Sequence, residues 1–157
     1  MSNKIANNIV ETNVEVLHRV SSEIDLNDVV KTAIVEHALL KAFNRLNKKV
    51  KGLAGIQVGQ AYRAILLRYE VDKDPIIAFN PVVLFSIGSR KSNEGCESEG
   101  KQRYVVKRPL LAKVKYYTRY KDEVVEWIPF SKARVFCHEV DHLDGVLLSD
   151  KGIPVEG

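Results

Sequence analysis

The sequence predicts an α+β fold in which antiparallel or mixed β-strands wrap around a central helix, with a long helix near the N-terminus. Three observations support this class: an early helical stripe of apolar residues, several short runs rich in β-branched and aromatic residues, and a late helical segment that contains the string H-E-V-D-H. A length of 157 residues suits one domain. We expect residues 1–13 to form a polar N-terminal extension and residues 14–157 to form a single domain.

The first long helix is predicted from about Leu26 to Lys48, with Asp25 as its N-terminal cap. Apolar residues recur there at helical spacing and approximate one stripe: Leu26, Val29, Val30, Ala33, Ile34, Leu39, Leu40 and Phe43. At the other end of the chain, Gly152 and Pro154 argue against another helix after Leu148.

Between the two helical segments, the sequence predicts five strands. Each is a short run of residues that favour strands, bounded by turn residues. The runs are Ala61–Tyr69, Ile76–Phe79, Val82–Ile87, Leu111–Tyr120 and Val124–Ile128. Pro81 separates the second run from the third, and the last two are expected to form a hairpin across residues 121–123.

The composition indicates the cellular compartment and argues against a membrane-spanning protein. The chain has only two cysteines, which cannot make a disulfide scaffold. Residues 1–13 lack the apolar core of a signal peptide, and no stretch approaches the ~20 apolar residues of a membrane span. We therefore expect a cytoplasmic protein with no membrane partner.

The net charge of +4 is mildly basic, and a basic cluster with interleaved tyrosines runs through the middle of the chain. We interpret this cluster as the polar face of a sheet with lysines at an edge, and expect no specific nucleic-acid partner. Its members are Lys101, Arg103, Lys107, Arg108, Lys113, Lys115, Arg119 and Lys121.

The string H-E-V-D-H lies in a predicted helix for which Ser131 is the expected cap. Two histidines at positions i and i+4, His138 and His142, project from one helical face and can bind the same metal ion. Glu139 can then reach a water on that metal without binding the metal itself. The pattern predicts metal-assisted hydrolysis, although such strings also occur by chance on amphipathic helices.

Cys96 is the candidate third ligand. It lies in the polar, glycine-containing string E-G-C-E-S, an unusual place for a core residue. A thiolate there would complete a Cys-His-His set with one open position, which is typical of catalytic rather than structural metal sites. The alternative is an ordinary small buried side chain. Cys137 precedes His138, but neighbouring helical positions point about 100° apart, so we interpret it as a packing residue.

A third segment, K-G-L-A-G-I-Q-V-G, begins at Lys51. Small residues allow a close approach of the backbone to a ligand, and Gln57 offers two amide donors. The alternative is an ordinary connection in which a glycine follows the end of the long helix.

In this order, the three segments V-K-G-L-A-G-I-Q, E-G-C-E-S and H-E-V-D-H resemble the motifs of the peptide deformylase family over about residues 14–150. Three positions depart from the family pattern: Val50 replaces a glycine, Gly55 replaces an alanine and Glu97 replaces a leucine. The lack of a further C-terminal helix resembles short members of the family in organelles and bacteriophages. The resemblance implies hydrolytic removal of the formyl group from N-formylmethionine on nascent polypeptides.

The resemblance also implies the parts of the site. Cys96, His138 and His142 would bind one divalent metal ion, and Glu139 would act as acid and base. The side chain of Gln57 and the backbone N–H of Glu97 would donate to the formyl oxygen, and one such donor is typically worth ~3 kcal/mol of transition-state stabilisation. Ligand type alone suggests Zn²⁺, whereas the family implies Fe²⁺ and also accepts Ni²⁺ or Co²⁺.

The substrate residues implied by the resemblance surround the methionine side chain and the peptide. They are Val50, Gly52, Glu94, Arg103 and Arg134. Arg134 stands where an apolar residue is usual, so its charged end is expected to reach toward solvent or to alter the selectivity of the pocket. Asp141 is expected to pair with Arg108 and fix the motif helix against a sheet.

Two other functions remain open: a zinc endopeptidase of the HExxH type and a non-catalytic relative that binds formylated peptides. The expected partners are N-formylmethionyl peptides and the ribosome near its exit tunnel, in the host cytoplasm if a phage encodes the chain.

Overall fold

The structure is a computed structural model that describes residues 9–156. Its helices are α1 (Val14–Leu17), α2 (Val29–Arg45), α3 (Phe130–Leu143) and α4 (Leu148–Lys151). Its strands are β1 (Gly52–Ala54), β2 (Ala64–Leu67), β3 (Ile76–Ile87), β4 (Arg90–Glu94), β5 (Tyr104–Arg108), β6 (Leu111–Tyr117), β7 (Glu123–Pro129) and β8 (Ile153–Pro154). Short 3₁₀ turns follow β1 and β4, at Gly55–Val58 and Glu97–Glu99.

The strands form two antiparallel sheets, which confirms the predicted α+β class. The larger sheet has the order β1-β2-β3-β6-β7, and the smaller one has the order β4-β5-β8. Helix α3 contacts strands of both sheets. Strands β1 and β4 are edge strands of their sheets, so one side of each has no strand partner within residues 9–156. No helix within residues 9–156 is long and apolar enough to cross a membrane.

Two apolar clusters hold these layers together. One face of α3, including Ala133, Phe136 and Leu143, packs into the first cluster with buried residues of the larger sheet such as Ile65 and Ile128. The second cluster lies under α2 and contains Val35, Leu39, Phe43, Leu53, Leu66 and Phe79. Burying one such side chain typically contributes about 1.5–3 kcal/mol, so the two clusters fix α2 and α3 against the sheet.

The predicted extension at residues 1–13 is described only from residue 9, and residues 1–8 lie outside the described residues. Val10 is buried in the cluster under α2. The N–H of Glu11 donates to the backbone oxygen of Gln57 at 2.7 Å. This contact joins the N-terminal segment to the 3₁₀ turn that carries Gln57.

Both predicted helix caps are wrong. Helix α2 begins at Val29, and Asp28 is its cap because its side chain accepts the N–H of Lys31. Asp25 instead accepts the N–H of Asn27 at 2.9 Å and forms a local turn, a conformation that competes with capping. Helix α3 begins one residue before Ser131, after Pro129, and has no side-chain cap.

The strand predictions differ from the structure at three points. Residues 76–87 form one strand, because a register shift at Asn80, whose φ is 50°, accommodates Pro81 without ending the strand. Strands β4 and β5 were not predicted: β4 (R-K-S-N-E) is wholly polar, and β5 (Y-V-V-K-R) ends in two residues of the basic cluster. A one-turn helix, α4, forms at Leu148–Lys151, where no further helix was predicted, and it ends at Gly152, after which the chain is extended.

Candidate active site

Helix α3 and the turn after β4 bring together Cys96, His138 and His142. Their candidate ligand atoms all lie within 4.8 Å of one another, and Cys96 Sγ is 3.3 Å from His142 Nε2. A sulfur and a nitrogen that share a tetrahedral metal ion at about 2.3 and 2.0 Å are about 3.5 Å apart. The three side chains therefore fit one divalent metal ion and leave a coordination position open.

The hydrogen bonds of the two histidines agree with this use. Nδ1–H of His138 donates to Glu94 Oε1 at 2.9 Å, which leaves Nε2 available as a metal ligand. Nδ1 of His142 is buried and has no hydrogen-bond partner within residues 9–156. Burial lowers the pKa of His142 well below its usual value, and this favours the neutral, metal-binding imidazole.

Glu139 lies one residue after the first histidine, on the inner face of α3. Its side chain is 5% exposed and one carboxylate oxygen, Oε1, is buried without a partner in the described part of the chain. Burial raises the pKa of this carboxyl to about 7. A carboxyl with a pKa near neutrality can both accept and return a proton.

Gly52 makes room for that carboxylate. A methyl group added at Gly52 would lie 2.6 Å from Glu139 Oε2, closer than a Cβ carbon approaches another heavy atom in proteins. The backbone of β1 therefore fixes one side of the Glu139 carboxylate, which explains why a glycine suits this position.

Gln57 has a single defined amide orientation. Its Oε1 accepts the N–H of Ala54 at 2.9 Å, so its Nε2 must point the other way. Nε2 donates to Ser98 Oγ at 2.9 Å and lies 3.7 Å from Cys96 Sγ. The amide donor of Gln57 is thus held beside the candidate metal ligands.

Arg108 connects the site to the smaller sheet. The guanidinium is 2% exposed and donates to both carboxylate oxygens of Glu94, at 3.0 and 2.9 Å. It also donates to Asp141 at 2.7 Å, so the predicted Arg108–Asp141 ion pair is confirmed. Burial opposes ionisation of Glu94, but the hydrogen bonds from His138 and Arg108 outweigh it and lower its pKa to about 2.

A cleft of about 540 Å³ opens over these side chains. It runs between the edge strand β1, with the residues just before it, and the turn after β4, and α3 forms its floor. Glu97 begins the 3₁₀ turn on this side, so its N–H is not used within that turn. Eight residues predicted for catalysis or substrate binding line the cleft: Val50, Gly52, Gln57, Glu94, Glu97, Arg103, Arg134 and Glu139.

Other predicted residues lie elsewhere. Arg108 and Asp141 are behind the cleft, on the side of α3 that faces β5. Burial raises the pKa of the Cys137 thiol to about 11, and this side chain is not part of the ligand group.

Two contacts were not anticipated from the sequence. Ser98 accepts from Gln57, and Glu94, predicted as a pocket residue, has its carboxylate fully engaged by Arg108 and His138. The strand period could have placed Glu94 near the candidate ligands, because a residue two positions before Cys96 points to the same face of an extended chain, but it could not have revealed the pairing with Arg108.

The chain is similar to known proteins over nearly its whole length. A sequence profile of the family described as polypeptide deformylase matches residues 6–156. A peptide deformylase of Lachnoclostridium phytofermentans is 38% identical over 101 residues, which are 64% of this chain and 62% of that protein. A peptide deformylase of Finegoldia magna is 33% identical over 138 residues, which are 87% of this chain and 83% of that protein.

A solved structure gives the same result. The Met-Ala-Ser-bound class I type b peptide deformylase from Acinetobacter baumannii superposes with a TM-score of 0.77 at 26% identity, covering 87% of this chain and 92% of that chain. The profile match spans more than half of the chain and includes all three motifs. The chain therefore belongs to the polypeptide deformylase family.

Proposed function

We propose that this protein hydrolyses the formyl group from N-formylmethionine at the N-terminus of new polypeptides and releases formate. One observation carries the proposal: an open ligand set of Cys96, His138 and His142 lies beside the buried carboxylate of Glu139. Membership of the family supports the reaction, and the Met-Ala-Ser peptide bound to the Acinetobacter baumannii enzyme supports the substrate class.

The three ligands would bind one divalent metal ion. When bound, the ion would supply a water of lowered pKa and polarise the formyl oxygen. The donor set alone suits Zn²⁺. We propose Fe²⁺ in the cell, because the chain resembles peptide deformylases, with Zn²⁺, Ni²⁺ or Co²⁺ as substitutes in purified protein.

Glu139 moves the proton. It takes a proton from the water that attacks the formyl carbon and holds it while the new C–O bond forms. It then gives the proton to the amine nitrogen as the C–N bond breaks, so that formate and a free N-terminal amine leave. A carboxyl with a pKa of about 7 suits both steps.

Gln57 and Glu97 stabilise the negative charge that develops on the formyl oxygen. The donor is Nε2 of Gln57, whose orientation is fixed by the N–H of Ala54. The second donor is the backbone N–H of Glu97, so the unusual side chain at this position leaves it intact. Loss of one such donor costs about 3 kcal/mol of transition-state stabilisation.

The two edge strands bind the substrate. An extended peptide in the cleft can pair with free backbone groups of β1 or β4. Val50 and Arg134 line the space for the methionine side chain, and Arg103 lies along the peptide. Glu94 and Gly52 act indirectly, through His138 and Glu139 respectively. The cytoplasmic location and the ribosome contact stay predictions.

The decisive experiment measures formate release from formyl-Met-Ala-Ser by anaerobically prepared, iron-loaded protein. An N-acetylated peptide with internal amide bonds tests the endopeptidase alternative in parallel. Glu139→Gln is expected to keep its metal and lose turnover by about 10²–10⁴-fold. Binding of formyl-Met-Ala-Ser without formate release would instead identify a non-catalytic relative, and cleavage of only the acetylated peptide would identify an endopeptidase.

A further inference from the structure

Five basic side chains line the cleft, and we call them the basic rim. They come from both walls and from the floor: two precede β1, two follow the turn after β4, and one lies on α3. The members are Lys49, Lys51, Lys101, Arg103 and Arg134.

None of these cations makes an ion pair within residues 9–156. Arg103 and Arg134 both donate to the neutral backbone oxygen of Asn93, at 3.1 and 3.0 Å, so their charges are not neutralised. Lys49, Lys51 and Lys101 are exposed and have no hydrogen-bonded side-chain partner among the described residues.

The acidic residues of the cleft do not balance the basic rim. Glu94 is already paired with Arg108, and Glu139 is 5% exposed at the bottom of the site. Among the residues that the structure describes, only Glu97 presents an exposed carboxylate to the cleft. A concave, single-sign surface concentrates the electrostatic potential and attracts ligands of the opposite charge.

We infer that the basic rim makes this protein selective for formyl-Met peptides with acidic side chains downstream of the methionine. The inference rests on the proposed function and adds a substrate class to it. Side chains of an extended peptide alternate between its two faces, so consecutive acidic residues meet cations on more than one side of the cleft. Basic side chains at the same positions would be repelled.

The test compares three amidated substrates, formyl-Met-Ala-Asp-Asp, formyl-Met-Ala-Ser-Ser and formyl-Met-Ala-Lys-Lys, with the iron-loaded protein. At low ionic strength, kcat/KM is expected to be about tenfold higher for the Asp-Asp peptide than for the Lys-Lys peptide, because each exposed ion pair contributes modestly. The difference is expected to lie in KM rather than in kcat. In about 1 M salt the ratio is expected to fall toward one, because the screening length is then about 3 Å.

Two double variants separate the basic rim from net charge. Lys49→Gln/Lys101→Gln removes one cation from each wall, whereas Lys41→Gln/Lys73→Gln removes two exposed cations that do not line the cleft. Only the first double variant is expected to lower the ratio of kcat/KM for the Asp-Asp peptide to kcat/KM for the Lys-Lys peptide. Calorimetric binding of the deformylated products Met-Ala-Asp-Asp and Met-Ala-Lys-Lys is expected to show the same preference and does not depend on turnover.

Formate release from all three peptides at equal kcat/KM would overturn the inference and leave the proposed function intact. An equal loss of ratio in both double variants would also overturn it, because net charge alone would then explain the preference. No formate release from any of the three peptides would instead reject the proposed function.

Discussion

Glu139 is the residue on which the proposed chemistry depends, and its environment predicts an effect on stability. Burial raises its folded-state pKa from 4.5 to about 7. Between these values the folded protein holds a proton that the unfolded chain releases, so stability falls as pH rises through this range and then levels off.

In metal-free protein, Glu139→Gln is expected to remove this fall. The variant gains up to roughly 3 kcal/mol of unfolding free energy relative to the wild type between pH 4.5 and 7. Chemical denaturation at a series of pH values measures the difference. Parallel stability curves for the two proteins would contradict a raised pKa at Glu139.

Gly52 gives a second prediction at a single position. In Gly52→Ala, the added methyl group would displace the Glu139 carboxylate, whose Oε2 lies 2.6 Å from the methyl position. We expect kcat to fall at least about tenfold with unchanged metal content, since small misplacements of reacting groups are costly. Gly59→Ala is the control: it has φ 80° and open space around it, so it costs stability but not kcat.

The sequence motifs predicted the candidate metal ligands better than they predicted the residues that contact those ligands. The i, i+4 spacing on α3 gave His138 and His142 because a helix fixes their relative direction. The engagement of Glu94 by Arg108 could not be predicted in the same way, since it depends on the pairing of β4 with β5.

Among the elements, β4, β5 and α3 are joined by one buried charged group. Arg108 on β5 binds Glu94 on β4 and Asp141 on α3. Removing one partner of a buried ion pair typically costs about 3–5 kcal/mol, because an uncompensated charge remains. The packing of α3 against the smaller sheet therefore depends on these three side chains.

This ion network predicts an acid-sensitive contact. Glu94 has a folded-state pKa of about 2, against an ordinary value of 4.5, so its ionised form stabilises the fold above pH 4.5 and this contribution is lost as pH falls toward 2. Glu94→Gln should be less stable than the wild type at neutral pH. As the pH falls from 4.5 to 2, its unfolding free energy should decrease by roughly 3 kcal/mol less than that of the wild type.

Denaturant unfolding between pH 2 and 7 checks the prediction. Glu70→Gln is a matched control, because Glu70 is exposed and outside this network. An unchanged acid dependence in Glu94→Gln would show that other carboxylates account for it.

Elements with strong patterns were predicted well, and polar or capping features were not. Strand β6 and its hairpin partner β7 were anticipated from runs of residues that favour strands; alternate residues of β6 are buried, whereas Ile128 is the one buried residue of β7. Strand β4 has the sequence R-K-S-N-E, and only its pairing with β5 defines it as a strand. Asp25 and Asp28 are the same residue type, and composition could not show that Asp25 would form a local turn with Asn27 while Asp28 would cap the helix.

At the level of the whole molecule, a bound metal ion would join two sheets and a helix. Cys96 follows β4 of the smaller sheet, while His138 and His142 belong to α3, which packs mainly on the larger sheet. A ligand that binds the folded state but not the unfolded state stabilises the folded state by mass action.

Metal loading is therefore expected to raise Tm by roughly 10 °C at a metal concentration about 1,000 times Kd. Chelation should reverse the rise. Cys96→Ala should abolish it, whereas Cys137→Ala should keep it, because Cys137 is not among the grouped ligands. A full metal-dependent rise in Cys96→Ala would reject the thiolate as a ligand. Differential scanning calorimetry measures all three proteins, the wild type and the two variants, metal-free and loaded.

The pairing of β8 with β5 has a consequence for the order in which the parts of the site can assemble. Val105 pairs with Ile153, so the smaller sheet gains its third strand only after residue 153 has been synthesised, later than Cys96. His138 and His142 also follow Cys96 in the chain. A nascent chain that has reached Cys96 but not yet His142 would thus carry that thiol without the two imidazoles, and the ligand group could form only after α3 had been translated.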